Sequence, residues 1–150
     1  MKKSKIFLAA AIIFANLTFS ATTALAEETN NLNSGNISSE TNIAVTDVSV
    51  AQAVDLINNK NALIIDVRTP EEFAESHLPE ANNFPVDTLS QNIETIKKLQ
   101  RDKPLLVYCR SGKRSARAAE KLKNLGVNSL YNLKGGIKAW SDANNPLVKK

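Results

Sequence analysis

The sequence predicts an α/β domain with a mostly parallel sheet and helices on both faces. Three observations predict it. Strand-like apolar runs alternate along the chain with stretches of helical periodicity. The two clearest runs, Ala62 to Val67 and Leu105 to Tyr108, are near-continuous in apolar character, the mark of strands covered on both faces. Between and after them lie helix start and stop signals, at Thr69-Pro70-Glu71-Glu72 and at Gly126.

Ala44 to Val48 is expected as a short first strand. Val50 to Asn58 is expected as a helix, because Val50, Ala53, Val54 and Ile57 recur at helical steps. The buried strand Ala62 to Val67 comes next. Thr69 then stands as an N-cap, with Pro70 at the first helical position and Glu72 three residues after the cap, a capping box that opens a short helix. A second short strand is expected near Asn82 to Phe84. Leu89, Ile93, Ile96 and Leu99 repeat at helical intervals. Leu105 to Tyr108, after Pro104, reads as a central strand. Ser115 to Leu125 reads as a helix with Ala116, Ala119, Leu122 and Leu125 on one stripe, closed by Gly126 as a C-terminal glycine. Ser129 to Leu133 is the last strand, Gly135-Gly136 a turn, and Ile137 to Trp140 the start of a final helix.

The N-terminal part is of a different kind. Lys2, Lys3 and Lys5 precede an apolar run from Ile6 to Ala15, and Ala24-Leu25-Ala26 has the small-x-small pattern of a signal-peptidase site. Residues 1–26 are therefore expected to be a signal peptide, and residues 27–43 a flexible polar leader to a domain at 44–145. Ten apolar residues span only about 15 Å as helix, short of a bilayer core, so no membrane attachment is expected after cleavage. Export to the periplasm or another extracytoplasmic space follows.

Nineteen Lys and Arg stand against 15 Asp and Glu, a net charge of +4. Removing Lys2, Lys3 and Lys5 leaves 16 against 15, so a general nucleic-acid affinity loses its support. The chain has one Cys and one His, far apart, so neither an internal disulfide nor a metal site is expected, and no cofactor is implied.

That single cysteine, Cys109, follows the strand ending at Tyr108. The stretch Cys109-Arg110-Ser111-Gly112-Lys113-Arg114 then runs into the helix starting near Ser115. Ligands of open α/β sheets bind beyond the carboxyl ends of the strands. A helix N-terminus adds free N–H groups and a dipole that favour an anion. With Arg110, Lys113 and Arg114 nearby, the thiol is expected below its usual pKa of about 8.5, in the nucleophilic thiolate form. Gly112 permits a tight turn. Asp66 and Arg68 follow a buried strand toward the same sheet edge and either pair with each other or line the pocket. His77 is expected in a structural hydrogen bond, and Trp140 in the core, as a cover, or at the pocket border.

Residues 109–115 resemble the active loop of the rhodanese family. Asp66-Val-Arg-Thr-Pro-Glu-Glu-Phe73, with His77-Leu78 and Ala81-Asn82-Asn83-Phe84-Pro85, resembles its N-terminal signature. Leu133-Lys-Gly-Gly-Ile-Lys-Ala-Trp140 resembles its C-terminal one. The resemblance implies a central five-stranded parallel sheet flanked by helices. It also implies a Cys109 thiolate that takes a sulfane sulfur from thiosulfate or a persulfide donor and passes it, as a persulfide, to cyanide or a thiol. A protein sulfur acceptor is a further partner open to it. Arg110 and Arg114 would hold anionic donors, while Ser111, Gly112, Lys113 and Ser115 shape the cradle. Ser76 and Glu80 stand where the family usually has glycine. Ser111 and Glu72 stand where thiosulfate-devoted members often carry Lys and Arg.

Two other functions compete. A cysteine phosphatase or arsenate reductase cradles its oxyanion with a Cys-x5-Arg loop, but here that position is Ser115 and Arg114 comes one residue early. A non-catalytic sulfur carrier or binding module would use the same loop as the enzyme.

Overall fold

The computed structural model describes residues 44–150; the expected signal peptide and the expected leader lie outside them. The main sheet joins β1 (Val45–Val48), β2 (Leu63–Asp66), β4 (Asn82–Asn83), β5 (Leu105–Tyr108) and β6 (Leu130–Leu133) in the spatial order β1-β6-β5-β2-β4. Every pairing in it is parallel. The sheet is parallel as the alternation of elements predicts and has the five strands that the family resemblance implies, with β5 as its central strand.

The near-continuous apolar run of β5 is explained by its place, since both its faces are covered. Leu105, Val107 and Cys109 pack on one face with Ile96, Ala118, Ala119 and Leu122. Leu106 and Tyr108 pack on the other with Ala53, Leu56, Ile137 and Trp140. Helices α3 (Ile93–Gln100) and α4 (Lys113–Asn124) thus cover one face, and α1 (Val50–Lys60) and α5 (Gly136–Asp142) the other.

Local signals set the helix ends. Thr69 caps α2 (Pro70–Glu75) through the reciprocal box with Glu72. Ser49 and Gln52 make a second box at α1, a signal the sequence reading passed over. Gly126, at φ +82°, ends α4 in a Schellman motif: its N–H donates to Lys123 O and the Val127 N–H to Leu122 O.

Three expectations are corrected. Helix α4 starts at Lys113, two residues early, because Gly112 takes the left-handed conformation as its N-cap. Its buried stripe is Ser115, Ala118, Ala119 and Leu122, with Ala116 and Leu125 only half-buried. On α3, Leu99 is exposed, and Gln100 takes the inward phase after Ile96. Its amide donates to the carbonyls of Lys103 and Asn128, at 3.1 and 2.7 Å, and so is satisfied while buried.

The fold also continues past 145. The strand β7 (Val148–Lys149) pairs antiparallel with β3 (Ser76–His77), and Pro146 O accepts the Trp140 indole N–H at 2.9 Å. Trp140 is accordingly a core residue, 4% exposed.

Candidate active site

Cys109 lies one residue beyond the end of β5, at the carboxyl edge of the sheet and opposite the N-terminus of α4. Its side chain is 1% exposed. The Gly112 N–H donates to its Sγ at 3.2 Å, and the Ser115 Oγ lies at 3.5 Å. Burial of the sulfur opposes ionisation. The Ser115 hydroxyl and the backbone N–H groups of Ser115, Ser111 and Gly112 outweigh it, and they hold the thiol below its ordinary pKa.

The N–H groups can face the sulfur because the loop's carbonyls are taken from the other side. The Ile137 N–H donates to Cys109 O at 2.9 Å and the Lys138 N–H to Arg110 O at 3.3 Å. Both donors belong to the first turn of α5, and Gly136 allows that approach. A Cβ at Gly136 would stand 2.3 Å from Cys109 O and 2.7 Å from the Arg110 carbonyl carbon. Gly112, at φ +89°, is likewise closed in by Gly135 N and Leu133 O. The role of Gly136 as the floor of the loop is absent from a reading of the sequence as a simple turn.

The basic residues do not act alike. Arg110 and Lys113 are exposed, as is Ser111. Arg114, expected to hold anionic donors, instead makes a bidentate ion pair with Glu72 of α2, at 2.8 Å to each oxygen. Arg114 draws the Glu72 carboxyl below the usual carboxylate range, and Glu72 in turn raises the Arg114 guanidinium above its ordinary value. The reason is topological: the capping box that fixes Glu72 on α2 turns its carboxylate toward the first turn of α4.

Of the two readings left open for Asp66 and Arg68, both residues take the pairing, and Arg68 alone also lines the pocket. They form a buried pair, with Arg68 Nε 2.9 Å and Nη2 2.6 Å from Asp66 Oδ2. Arg68 also donates to Ser76 O and lines a cleft of about 640 Å3 beside the loop, with Glu72, Arg110, Ile137, Lys138 and Leu147. Burial disfavours the Arg68 charge, but Asp66 more than compensates and raises its pKa. The Tyr108 hydroxyl accepts the Leu78 N–H, and burial pushes its own ionisation well up. His77 donates from Nδ1 to Phe73 O and stacks on the Phe73 ring. Ser115 makes two further polar contacts beneath the sulfur, with Gly112 O and with Asn132.

Comparisons with known proteins agree with this architecture. The family model of the rhodanese-like domain matches residues 49–143. The chain is 43% identical over 81 residues to the uncharacterised protein YqhL of Bacillus subtilis, covering 54% of this chain and 62% of that one. It is 36% identical over 93 residues to a sulfurtransferase of Allochromatium vinosum, covering 62% of this chain and 84% of that one. Among solved structures, a rhodanese-related protein of Thermoplasma volcanium matches with a TM-score of 0.59 and 33% identity, over 70% of this chain and 99% of that one. With a family model matched over residues 49–143 and a five-stranded parallel sheet like that of its solved relatives, the chain belongs to the rhodanese-like domain family.

Proposed function

We propose that the protein is an exported sulfurtransferase that carries a sulfane sulfur on Cys109. One observation supports this reading above the others. The buried Sγ receives the Gly112 N–H at 3.2 Å at the head of α4, with the Ser115 hydroxyl 3.5 Å away. In the first step the Cys109 thiolate attacks the sulfane sulfur of the donor. An Sγ–S bond forms, the donor's S–S bond breaks, and the electron pair leaves with sulfite or with the donor thiolate. In the second step cyanide or an acceptor thiolate attacks the outer sulfur, and Cys109 regains its electron pair. Atoms and electrons balance without an outside oxidant, and no general base is needed because each nucleophile is already anionic.

The Glu72–Arg114 pair bears on the donor. It removes one cation from the service of a dianionic donor, leaving Arg110 and Lys113 at the mouth. That favours a persulfide donor over thiosulfate, and the neighbouring cleft has room for an acceptor larger than cyanide. Export is part of the same proposal and rests on residues 1–26 alone.

The test is the intact mass of the protein after incubation with thiosulfate or with a persulfide donor, beside Cys109→Ser. A gain of one sulfur atom that requires Cys109 and is removed by cyanide is expected. Absence of any gain on the folded protein would overturn the reading. Repeated turnover with small thiols identifies an enzyme; a single stoichiometric loading identifies a carrier.

A further inference from the structure

Beneath the sulfur runs a buried polar chain that crosses from the loop to the edge of the sheet. The Ser115 Oγ is 3.5 Å from Cys109 Sγ, 3.1 Å from Gly112 O and 2.6 Å from Asn132 Oδ1. Asn132 in turn donates from Nδ2 to Asp47 Oδ1 at 2.8 Å. Asn132 sits on β6, directly paired with Asp47 on β1, and is 3% exposed, while Asp47 reaches the surface. Among the described residues every buried side-chain nitrogen and oxygen has a partner, so the chain leaves none over.

A serine hydroxyl has one proton, and three acceptors surround this one. The Asp47 carboxylate can only accept, so it fixes the Asn132 amide with its nitrogen outward and its oxygen toward Ser115. The Asn132 oxygen is the nearest of the three acceptors. When Cys109 is a thiol, its contact and that of Asn132 are satisfied together: the S–H points to Ser115 Oγ and the hydroxyl proton to Asn132. When Cys109 is a thiolate, the same proton is wanted by the sulfur, and Asn132 must give it up.

We propose that Asn132, held by Asp47, is a positioning residue that competes with the Cys109 sulfur for the single hydroxyl proton of Ser115. Asn132 acts on the sulfur only through Ser115 and touches no substrate. A consequence rests on the reading of Cys109 as a sulfur carrier. In the persulfide the inner Sγ is neutral and the charge sits on the outer sulfur, so Ser115 is free to return its proton to Asn132. The chain then favours the sulfur-loaded state over the bare thiolate. The other charged groups around the sulfur are Arg110 and Lys113 of the loop region, Arg114 with its Glu72 partner from α2, and the pair of Asp66 at the end of β2 with Arg68 just after it. None of them touches Asn132.

The experiment is the pH profile of Cys109 alkylation by iodoacetamide, which needs no sulfur donor and so stands apart from the sulfur-transfer reading. In Asn132→Leu the competitor is gone, and the alkylation midpoint is expected to move to lower pH, with the thiolate fraction below the midpoint rising about fivefold. The same substitution on a Ser115→Ala background is expected to move nothing, because the shared proton is absent. A structural role for Asn132 predicts no such dependence on Ser115. Asp47→Ala removes the acceptor that orients Asn132 and lets its amide turn over, so a smaller shift in the same direction is expected. An unchanged or raised midpoint in a folded Asn132→Leu protein would overturn the proposal. If that variant does not fold, an unchanged midpoint in Asp47→Ala overturns it equally.

Discussion

Gly136→Ala asks whether the floor under Cys109 holds the loop in its working shape. An added Cβ would stand 2.3 Å from Cys109 O, 2.7 Å from the Arg110 carbonyl carbon and 2.8 Å from Arg110 O, and all three atoms are backbone. Ordinary contact begins near 3.4 Å, so the loop must retreat by about 1 Å. The residue also keeps φ at +60°, which costs a non-glycine about 1–2 kcal/mol. Overpacking adds about 1–3 kcal/mol, for a total of about 2–5 kcal/mol. Retreat of the loop strains the Ile137 N–H bond to Cys109 O and shifts the sulfur relative to its donors. A misplacement of that size corresponds to roughly a hundredfold loss in rate. Gly126→Ala is the matched control. It carries a similar φ of +82°, but the nearest neighbour of its Cβ is the flexible Lys97 Nζ at 3.7 Å. It is expected to lose about 1–2 kcal/mol and no activity. The assays are denaturant unfolding and the rate of sulfur loading on folded protein without denaturant. Wild-type loading by Gly136→Ala, or equal loss of loading in both variants, would refute the reasoning.

Glu72→Gln removes the anion that engages Arg114. The pair is partly exposed, so the expected stability loss is at most about 1 kcal/mol. The released guanidinium should speed loading from dianionic thiosulfate several-fold and loading from a monoanionic persulfide donor less; a slower thiosulfate reaction would count against this. The pair also has a pH signature. Because Arg114 holds the Glu72 carboxyl below its usual range, the contribution is present above the unfolded Glu pKa of about 4.3 and is lost as pH falls through the lower folded value. The stability gap between wild type and Glu72→Gln should therefore close in acid, and a gap that persists there would show another cause. Glu80 is exposed at φ +61° where the family usually has glycine. Glu80→Gly should relieve about 1–2 kcal/mol of strain against about 0.4–1 kcal/mol of added unfolded-state entropy. A higher denaturant midpoint is the expected result and a lower one refutes it. Ser76, the other departure, has φ −165°, extended backbone that needs no glycine.

What could be read in the sequence was what lies close along the chain. The Thr69–Glu72 box, the Gly126 cap and the paired apolar runs of β2 and β5 each depend on a few neighbouring residues, and each appears in the structure as expected. The Cys109 loop was legible for the same reason, since strand, cysteine, glycine and helix follow one another within ten residues or so. What escaped depends on the order of strands. Glu72 and Arg114 are 42 positions apart, and Asp47 and Asn132 are 85 apart. No local periodicity connects either pair. The two-residue strands β3 and β7 are too short to show a period at all.

One signal for the Asn132 chain was nevertheless present. Leu130-Tyr131-Asn132-Leu133 reads as a strand next to the centre of the sheet, and a polar side chain there must find a partner or lose roughly 1–3 kcal/mol of hydration. The choice of partner then follows from register. Asn132 faces Asp47 across the β1–β6 pairing and Val107 across β5–β6, and only Asp47 can accept a hydrogen bond through its side chain. With its nitrogen so committed, the amide oxygen needs a donor on the α4 side of the sheet. The buried face of α4 offers Ser115, Ala118, Ala119 and Leu122, of which Ser115 alone carries an O–H. The position of Ser115 under the sulfur is therefore tied to a requirement that starts at the far edge of the sheet, and a change at Asp47 is expected to reach Cys109 without any contact between them.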